Sequence, residues 1–348
     1  DDAYKSDPKT STSAYSTHNV TKKIKEKYSK DIKENDFIKI RDILLKLSAE
    51  DFFRFYSERK SYEEIPLLTA DGIVIPEIGL QAALSKKEYT NIVPTIAGSN
   101  RDEVKLWLAT AEYFVNLDSS FISSILRIPR VQLTDEPSFE AFNYYRSSAW
   151  KIRGVDDPLK SLATAGNKNL YAYRYDWDDH RRLFVANFKK LIGAAHATEI
   201  PLLAGNSDLV GGYPLSDLIY PPSVSKRFLS KNMMLFWSNF AKTGSPGIST
   251  NSIEWEKYDA NDKSSNYLIL DRKKNLKMEQ DRLSFETLAN ELAKDNRVND
   301  LEKCVILLQM FTFVGDDLYE NYIKNYPKKC VRDNSEQFLI DNASFIEY

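Results

Sequence analysis

Val93-Pro94-Thr95-Ile96-Ala97-Gly98-Ser99-Asn100 is a short apolar run that breaks at a Gly-Ser-Asn turn, and Glu103 to Ala111 follows it with a helical pattern. An apolar run of this length, delivered straight into a helix, has the form of a buried parallel strand. A second strand is expected at Leu170-Tyr171-Ala172-Tyr173-Arg174-Tyr175-Asp176-Trp177, where alternation and aromatic side chains suit a pleated surface. Helical periodicity surrounds both, over Asn19 to Tyr56, Ser223 to Thr243, Leu283 to Leu292 and Leu301 to Tyr326. The helix from Ser223 is expected to stop at Gly244-Ser245-Pro246-Gly247, and its Trp237 and Phe240 are read as core packing. Thr69-Ala70-Asp71-Gly72 followed by Ile73-Val74-Ile75 and Pro76 suggests a hairpin or extended arm. Strands separated by helices predict an α/β architecture, in which functional residues occupy loops at the carboxyl ends of strands.

Composition sets the outer bounds. The 348 residues, 42% hydrophobic and 12% aromatic, suffice for a large buried core, and no repeat or interdomain linker interrupts them, so a single domain over 1–348 is expected, with 1–12 as a loose lead-in. Lys and Arg total 48 against 50 Asp and Glu, so no global field draws the chain to nucleic acid or anionic lipid. The longest apolar run, Val305 to Val314, is interrupted by Gln309 and Thr312 and falls short of the roughly 20 residues of a membrane span. The first residues carry neither an initiator Met nor a signal-like region, which leaves targeting and compartment open. Two cysteines, Cys304 and Cys330, are too few for a disulfide framework and lack zinc-site spacing; whether they pair stays open. No metal or organic cofactor is implied.

With only three histidines, each can be weighed alone. His18 sits near a helix start and suits a cap or a surface position. His180 lies in Asp178-Asp179-His180-Arg181-Arg182, a charge run expected to be solvated. His196 follows a Gly193-Ala194-Ala195 turn after a strand, which leaves an imidazole free to approach a nucleophile, although a lone loop histidine is more often simply polar. By position alone, Asp102 and Glu103 are equally eligible as first-turn helix carboxylates or as a catalytic acid. Glu199 is either a carboxylate near His196 or a capping partner of the helix after it.

Four ordered segments decide among these readings. Leu191 to Pro201 resembles the catalytic-histidine loop of the type-B carboxylesterase and cholinesterase family. Thr69 to Pro76 resembles that family's Asp-Gly-x-x-x-Pro arm, and Ile96 to Glu103 its catalytic-acid loop. Phe236-Trp237-Ser238-Asn239-Phe240-Ala241-Lys242-Thr243-Gly244-Ser245-Pro246 resembles its Trp-x-Asn-Phe-Ala-x-Thr-Gly-x-Pro helix end. The likeness thins before Asp51 and after Tyr267 to Asp271.

The resemblance implies an α/β-hydrolase and a Ser, Glu, His chain order. Glu103 would be the acid and His196 the base, with Asp102 and Glu199 as possible supports of the pair. Val104 stands where the family commonly has glycine. No Gly-x-Ser-x-Gly and no His-Gly-Gly-Gly occurs anywhere in the chain, and only 12 residues are glycine. The expectation is therefore the C-terminal part of the fold: the last strands of the mainly parallel sheet with flanking helices. The nucleophile elbow would lie in an N-terminal half that is the chain's missing partner, and the chain alone would be inactive. The parent would hydrolyse small-molecule esters; the alternative is a non-catalytic, cholinesterase-like adhesion or binding protein.

Overall fold

The computed structural model describes residues 24–28, 31–33, 36–53, 76–118, 130–183, 186–206, 215–259, 265–311, 322–323, 330 and 332–342. The expected arm at Thr69 to Ile75, His18 and positions 312–321 of the last helical pattern lie outside them. The chain forms two compact units, residues 1–83 with 313–318 and residues 84–312 with 319–348.

In the first unit, α1 (Phe37–Leu44) opens where Asp36 accepts the Lys39 N–H at 3.2 Å. The next helix, α2 (Ala49–Phe53), follows Ser48, whose hydroxyl accepts the Asp51 N–H at 3.1 Å. Both are side-chain N-caps that satisfy a free N–H of the first turn. Ile24, Ile32 and Ile40 form the unit's buried cluster, with Ile43, Leu44 and Leu47 against it. A short helix, α3 (Leu80–Leu84), crosses the division between the units.

The second unit carries a mixed sheet. Its strands are β1 (Thr95–Asn100), β4 (Leu170–Tyr175), β5 (Ser265–Leu270) and β6 (Lys277–Asp281), in that spatial order. The first three are parallel and β6 is antiparallel to β5, while β2 (Val115–Asp118) and β3 (Arg130–Leu133) make a separate antiparallel pair. Parallel neighbours need crossover connections. Between β1 and β4 the chain runs through α4 (Lys105–Leu108), α5 (Glu136–Lys151), a π-helical turn (Ile152–Asp156) and α6 (Asp157–Thr164). Between β4 and β5 come α7 (Phe188–Leu191), α8 (Ile200–Leu203), α9 (Leu215–Ile219) and α10 (Val224–Thr243). The chain continues past β6 with α11 (Phe285–Lys294), α12 (Asp300–Phe311) and α13 (Arg332–Asp341).

The period of two in β4 divides its side chains between two cores. Tyr171 and Tyr175 join Leu229, Met233 and Phe236 of α10 and the buried Trp255. Leu170 and Ala172 point the other way, to Val155 of the π-helical turn and Leu159 and Leu162 of α6. Both faces are thus covered, as a parallel sheet requires. Trp255 also donates its indole N–H to the Ala172 carbonyl of β4 at 3.0 Å, satisfying a polar atom inside the core.

The long helix α10 shows how directly sequence can set an element. Ser223 caps its start by accepting the Lys226 N–H at 3.1 Å, and Gly244 ends it in the left-handed region at φ 75°. Trp237 and Phe240 pack against the core, as their spacing predicts. No described helix is long and apolar enough to cross a membrane.

Cys304 of α12 and Cys330 form a disulfide with Cα atoms 5.4 Å apart, closing a loop across 26 positions. Peptide mapping without reductant should recover one linked Cys304/Cys330 fragment, and reduction should lower stability by roughly 3–4 kcal/mol on the chain-entropy relation. Free thiols in the native chain would contradict the pairing. Phe236→Ala empties a fully buried site and should cost about 3–5 kcal/mol in urea denaturation, whereas exposed Lys242→Ala should stay within about 0.5 kcal/mol.

Candidate active site

At the end of β1 the chain continues to track its neighbours through backbone bonds. Arg101 N–H donates to the Tyr175 carbonyl at 2.9 Å, and Asp102 N–H donates to Ala194 at 3.1 Å. The His196 N–H in turn donates to the Glu103 carbonyl at 3.3 Å. Asp102 and Ala195 form a parallel bridge outside the named strands. Two turns nearly a hundred residues apart are therefore laid side by side, with Glu103 and His196 as neighbours.

Side chains complete what the backbone begins. Glu103 Oε2 lies 2.7 Å from His196 Nδ1, and Glu103 Oε1 accepts the Asn100 N–H at 2.7 Å. A carboxylate cannot donate here, so the imidazole carries its proton on Nδ1 and leaves Nε2 for another partner. His196 makes no Nε2 hydrogen bond among the described residues. The Glu103 side chain is 5% exposed and that of His196 46%. The hydrogen bond from Glu103 is the largest influence on His196 and raises its pKa above the ordinary imidazole value, against the opposing effect of burial.

The rival carboxylate has different partners. Asp102 accepts Arg101 Nη2 at 2.7 Å, the Asn143 side-chain amide at 2.7 Å and the Ala194 N–H at 2.9 Å. Burial by itself would raise its pKa, but Arg101 and Lys105 outweigh it and bring it to about 2. Asp102 is thus an ionised anchor of the histidine turn, and it does not reach the imidazole. Gly193 must be glycine: its φ is 56°, and a Cβ would run into the Asp102 carboxylate. Ala197, just past the histidine, also has a positive φ, 65°, which is uncommon for a residue with a side chain.

Glu199 precedes α8 without capping it. Its Oε2 instead accepts the Asn100 side-chain amide at 2.5 Å, and the same amide donates to the Ala195 carbonyl at 2.7 Å. Burial raises the Glu199 pKa, with the Asn100 bond pulling the other way. Asn100 therefore ties together the acid, the histidine turn and Glu199. Val104, in the place of the family's glycine, has φ −91° and ψ −2°, a conformation that asks for no glycine.

Three features were not legible beforehand. Trp107 and Trp150 flank the imidazole, with ring centroids 5.3 and 5.4 Å from that of His196. Trp107, in α4, is four residues from Glu103, which offered a local signal; Trp150 arrives from α5 and offered none. The third feature corrects an expectation. His180 is not solvated but 5% exposed, and its Nε2 lies 2.7 Å from the Gly193 carbonyl. Its neighbour Asp178 is not solvated either, and pairs with Arg101, Lys189 and Arg272.

Ser99, which follows Gly98 but lacks the closing glycine of a Gly-x-Ser-x-Gly elbow, lies inside β1 and is buried, and its hydroxyl makes no hydrogen bond among the described residues. Ser207 is outside the described residues. Among the described residues no three or more His, Cys, Asp or Glu side chains form a metal-binding group.

Carboxylesterase 1E of Rattus norvegicus is 25% identical over 277 aligned positions, covering 72% of this chain and 44% of that protein. Liver carboxylesterase of Sus scrofa is 25% identical over 278 positions, with the same coverage. The matched chain thus spans less than half the length of these relatives. A solved PNB esterase is similar with a TM-score of 0.49 at 17% identity, covering 79% of this chain and 53% of that one. The model of the carboxylesterase family aligns with residues 9–287, extending the likeness well upstream of Asp51 and somewhat past Asp271, where motifs alone had shown little. On that match, across most of its length, this chain belongs to the carboxylesterase family.

Proposed function

We propose that Glu103 and His196 are the acid and base of an ester-hydrolysing serine triad, whose nucleophile this sequence does not contain. The observation that carries the reading is the 2.7 Å contact between a buried carboxylate and Nδ1 of a half-exposed imidazole, whose Nε2 makes no hydrogen bond among the described residues. Family membership supports carboxylic esters as the substrate class.

The chemistry follows from this arrangement. His196 Nε2 removes the proton from an incoming serine hydroxyl as the oxygen attacks the ester carbonyl, and Glu103 stabilises the imidazolium that forms. The imidazolium then protonates the departing alcohol, leaving an acyl-enzyme. Water attacks that ester with the same nitrogen as base, which releases the acid and restores the serine. Asp102 and Glu199 hold the loop, through Ala194 and through Asn100, and take no part in proton transfer. Lacking a serine elbow and its oxyanion amides, the chain alone is expected to be inactive by this route.

The test is a parent protein or complementing segment that supplies the elbow, assayed on a short-chain aryl ester. His196→Ala should reduce kcat on the order of 10⁴-fold or more, and the chain alone should show no turnover above background. Undiminished turnover by His196→Ala would sink the assignment, and a folded complete protein with no turnover would favour the binding-protein alternative.

The pH profile supplies a second check. The base must be neutral, so activity should fall as pH drops through the raised His196 pKa. Glu103→Gln removes the cause of that elevation and should move the acid limb of kcat/KM to lower pH while lowering the rate. The linked stability has the opposite sense: a raised imidazole pKa stabilises the fold at low pH, and the contribution is lost as pH rises through it. An acid limb unmoved by Glu103→Gln would contradict the pairing.

A further inference from the structure

His180 is a buried titratable group that this chemistry does not use. Its ring packs against Trp177 and Tyr220, with centroids 5.4 and 5.6 Å away. The Gly193 carbonyl, 2.7 Å from Nε2, can only accept, so the ring's proton sits on Nε2. Nδ1 is buried and accepts no hydrogen bond among the described residues. Burial is the largest influence on the ring and lowers its pKa, against the Gly193 and Ile219 carbonyls, which raise it.

The bond falls on a particular peptide unit. The Gly193 carbonyl and the Ala194 N–H belong to one amide plane, and that N–H donates to Asp102 Oδ2 at 2.9 Å. The plane is therefore gripped at both ends, by a ring donor on its oxygen and by an ionised carboxylate on its hydrogen. The carboxylate polarises the amide and makes its oxygen a better acceptor, so each bond strengthens the other. Torsion at the turn needs such a restraint, because Gly193 and Ala197 both hold positive φ and His196 lies between them.

We infer that His180 is a positioning residue for His196, locking with Asp102 the Gly193–Ala194 amide plane and so aiming the imidazole at Glu103. Its consequence for catalysis rests on the reading of His196 as the base; the restraint itself is a property of the loop. Rotation of this plane would swing the following residues and lengthen the Glu103 contact, without removing any group that meets substrate.

The experiment is NMR on the ¹⁵N-labelled 348-residue chain, whose three histidines give few ring signals to assign. At pH 7 His180 should be the neutral Nε2–H tautomer, with a slowly exchanging ring proton. His180→Phe keeps an aromatic ring and removes the donor. It should abolish or broaden the low-field His196 Nδ1–H resonance and return most of the His196 pKa elevation toward the ordinary value. His180→Gln restores an N–H donor and should recover both signals in part. A folded His180→Phe with unchanged His196 resonance and titration overturns the proposal. Should that variant fail to fold, the unaltered chain still decides, because an Nδ1–H tautomer or a rapidly exchanging Nε2–H overturns it too. None of these readouts measures turnover, so failure here leaves ester hydrolysis standing, and failure of ester hydrolysis leaves the restraint standing.

Discussion

The Asp102 carboxylate is the charge around which the site is assembled. It is buried, which opposes ionisation, yet Arg101 and Lys105 hold its pKa at about 2. A buried ion is costly unless its lone pairs find donors. Here Oδ1 takes the Asn143 amide of α5, and Oδ2 takes Arg101 and the Ala194 N–H. One charge thus joins the end of β1, α5 and the histidine turn. Glu103 and His196 stand beside residues held in this way, and their meeting follows from the anchoring of their neighbours.

The sheet beneath gives the anchor a firm base. Because β4 sends alternate side chains into two separate cores, its position is constrained from both faces. The Arg101 bond to the Tyr175 carbonyl carries that constraint past the last residue of β1. Sites mounted on such elements are held more closely than sites on free loops. The contrast in exposure between Glu103 and His196 then suits their chemistry: an orienting carboxylate works best away from water, while a base has to reach a substrate.

Much of the fold was legible in the residues. The strand at Leu170 falls where alternation places it, the strand at Thr95 runs on through the Gly98-Ser99-Asn100 that was expected to turn, and α10 lies between its serine cap and its glycine stop. These features depend on local torsion and local hydrogen bonding, which neighbouring residues determine. The helix Glu136–Lys151 was not anticipated. It buries residues around most of its circumference, Ser138, Asn143, Arg146 and Lys151 among them, so its sequence lacks a clean apolar stripe. The charge run at His180 misled for a related reason: acidic and basic residues read as solvated, but Asp178 finds Arg101, Lys189 and Arg272 at long range while the histidine turns inward.

The sequence by itself determined the α/β alternation, the capped helices and the candidate acid and base, because each rests on a short pattern of residue types. The family resemblance named Glu103 over Asp102, but the physical reason that Glu103 meets the imidazole lies in the tertiary structure. Asp102 and Glu103 are interchangeable to any local argument, and the choice between them comes from a parallel bridge between Asp102 and Ala195 that sets the register of two distant turns. The same register buries His180 against Gly193 and brings Trp150 to the imidazole. Such contacts join segments far apart in the chain, where no periodicity links them and only the packed fold brings them together.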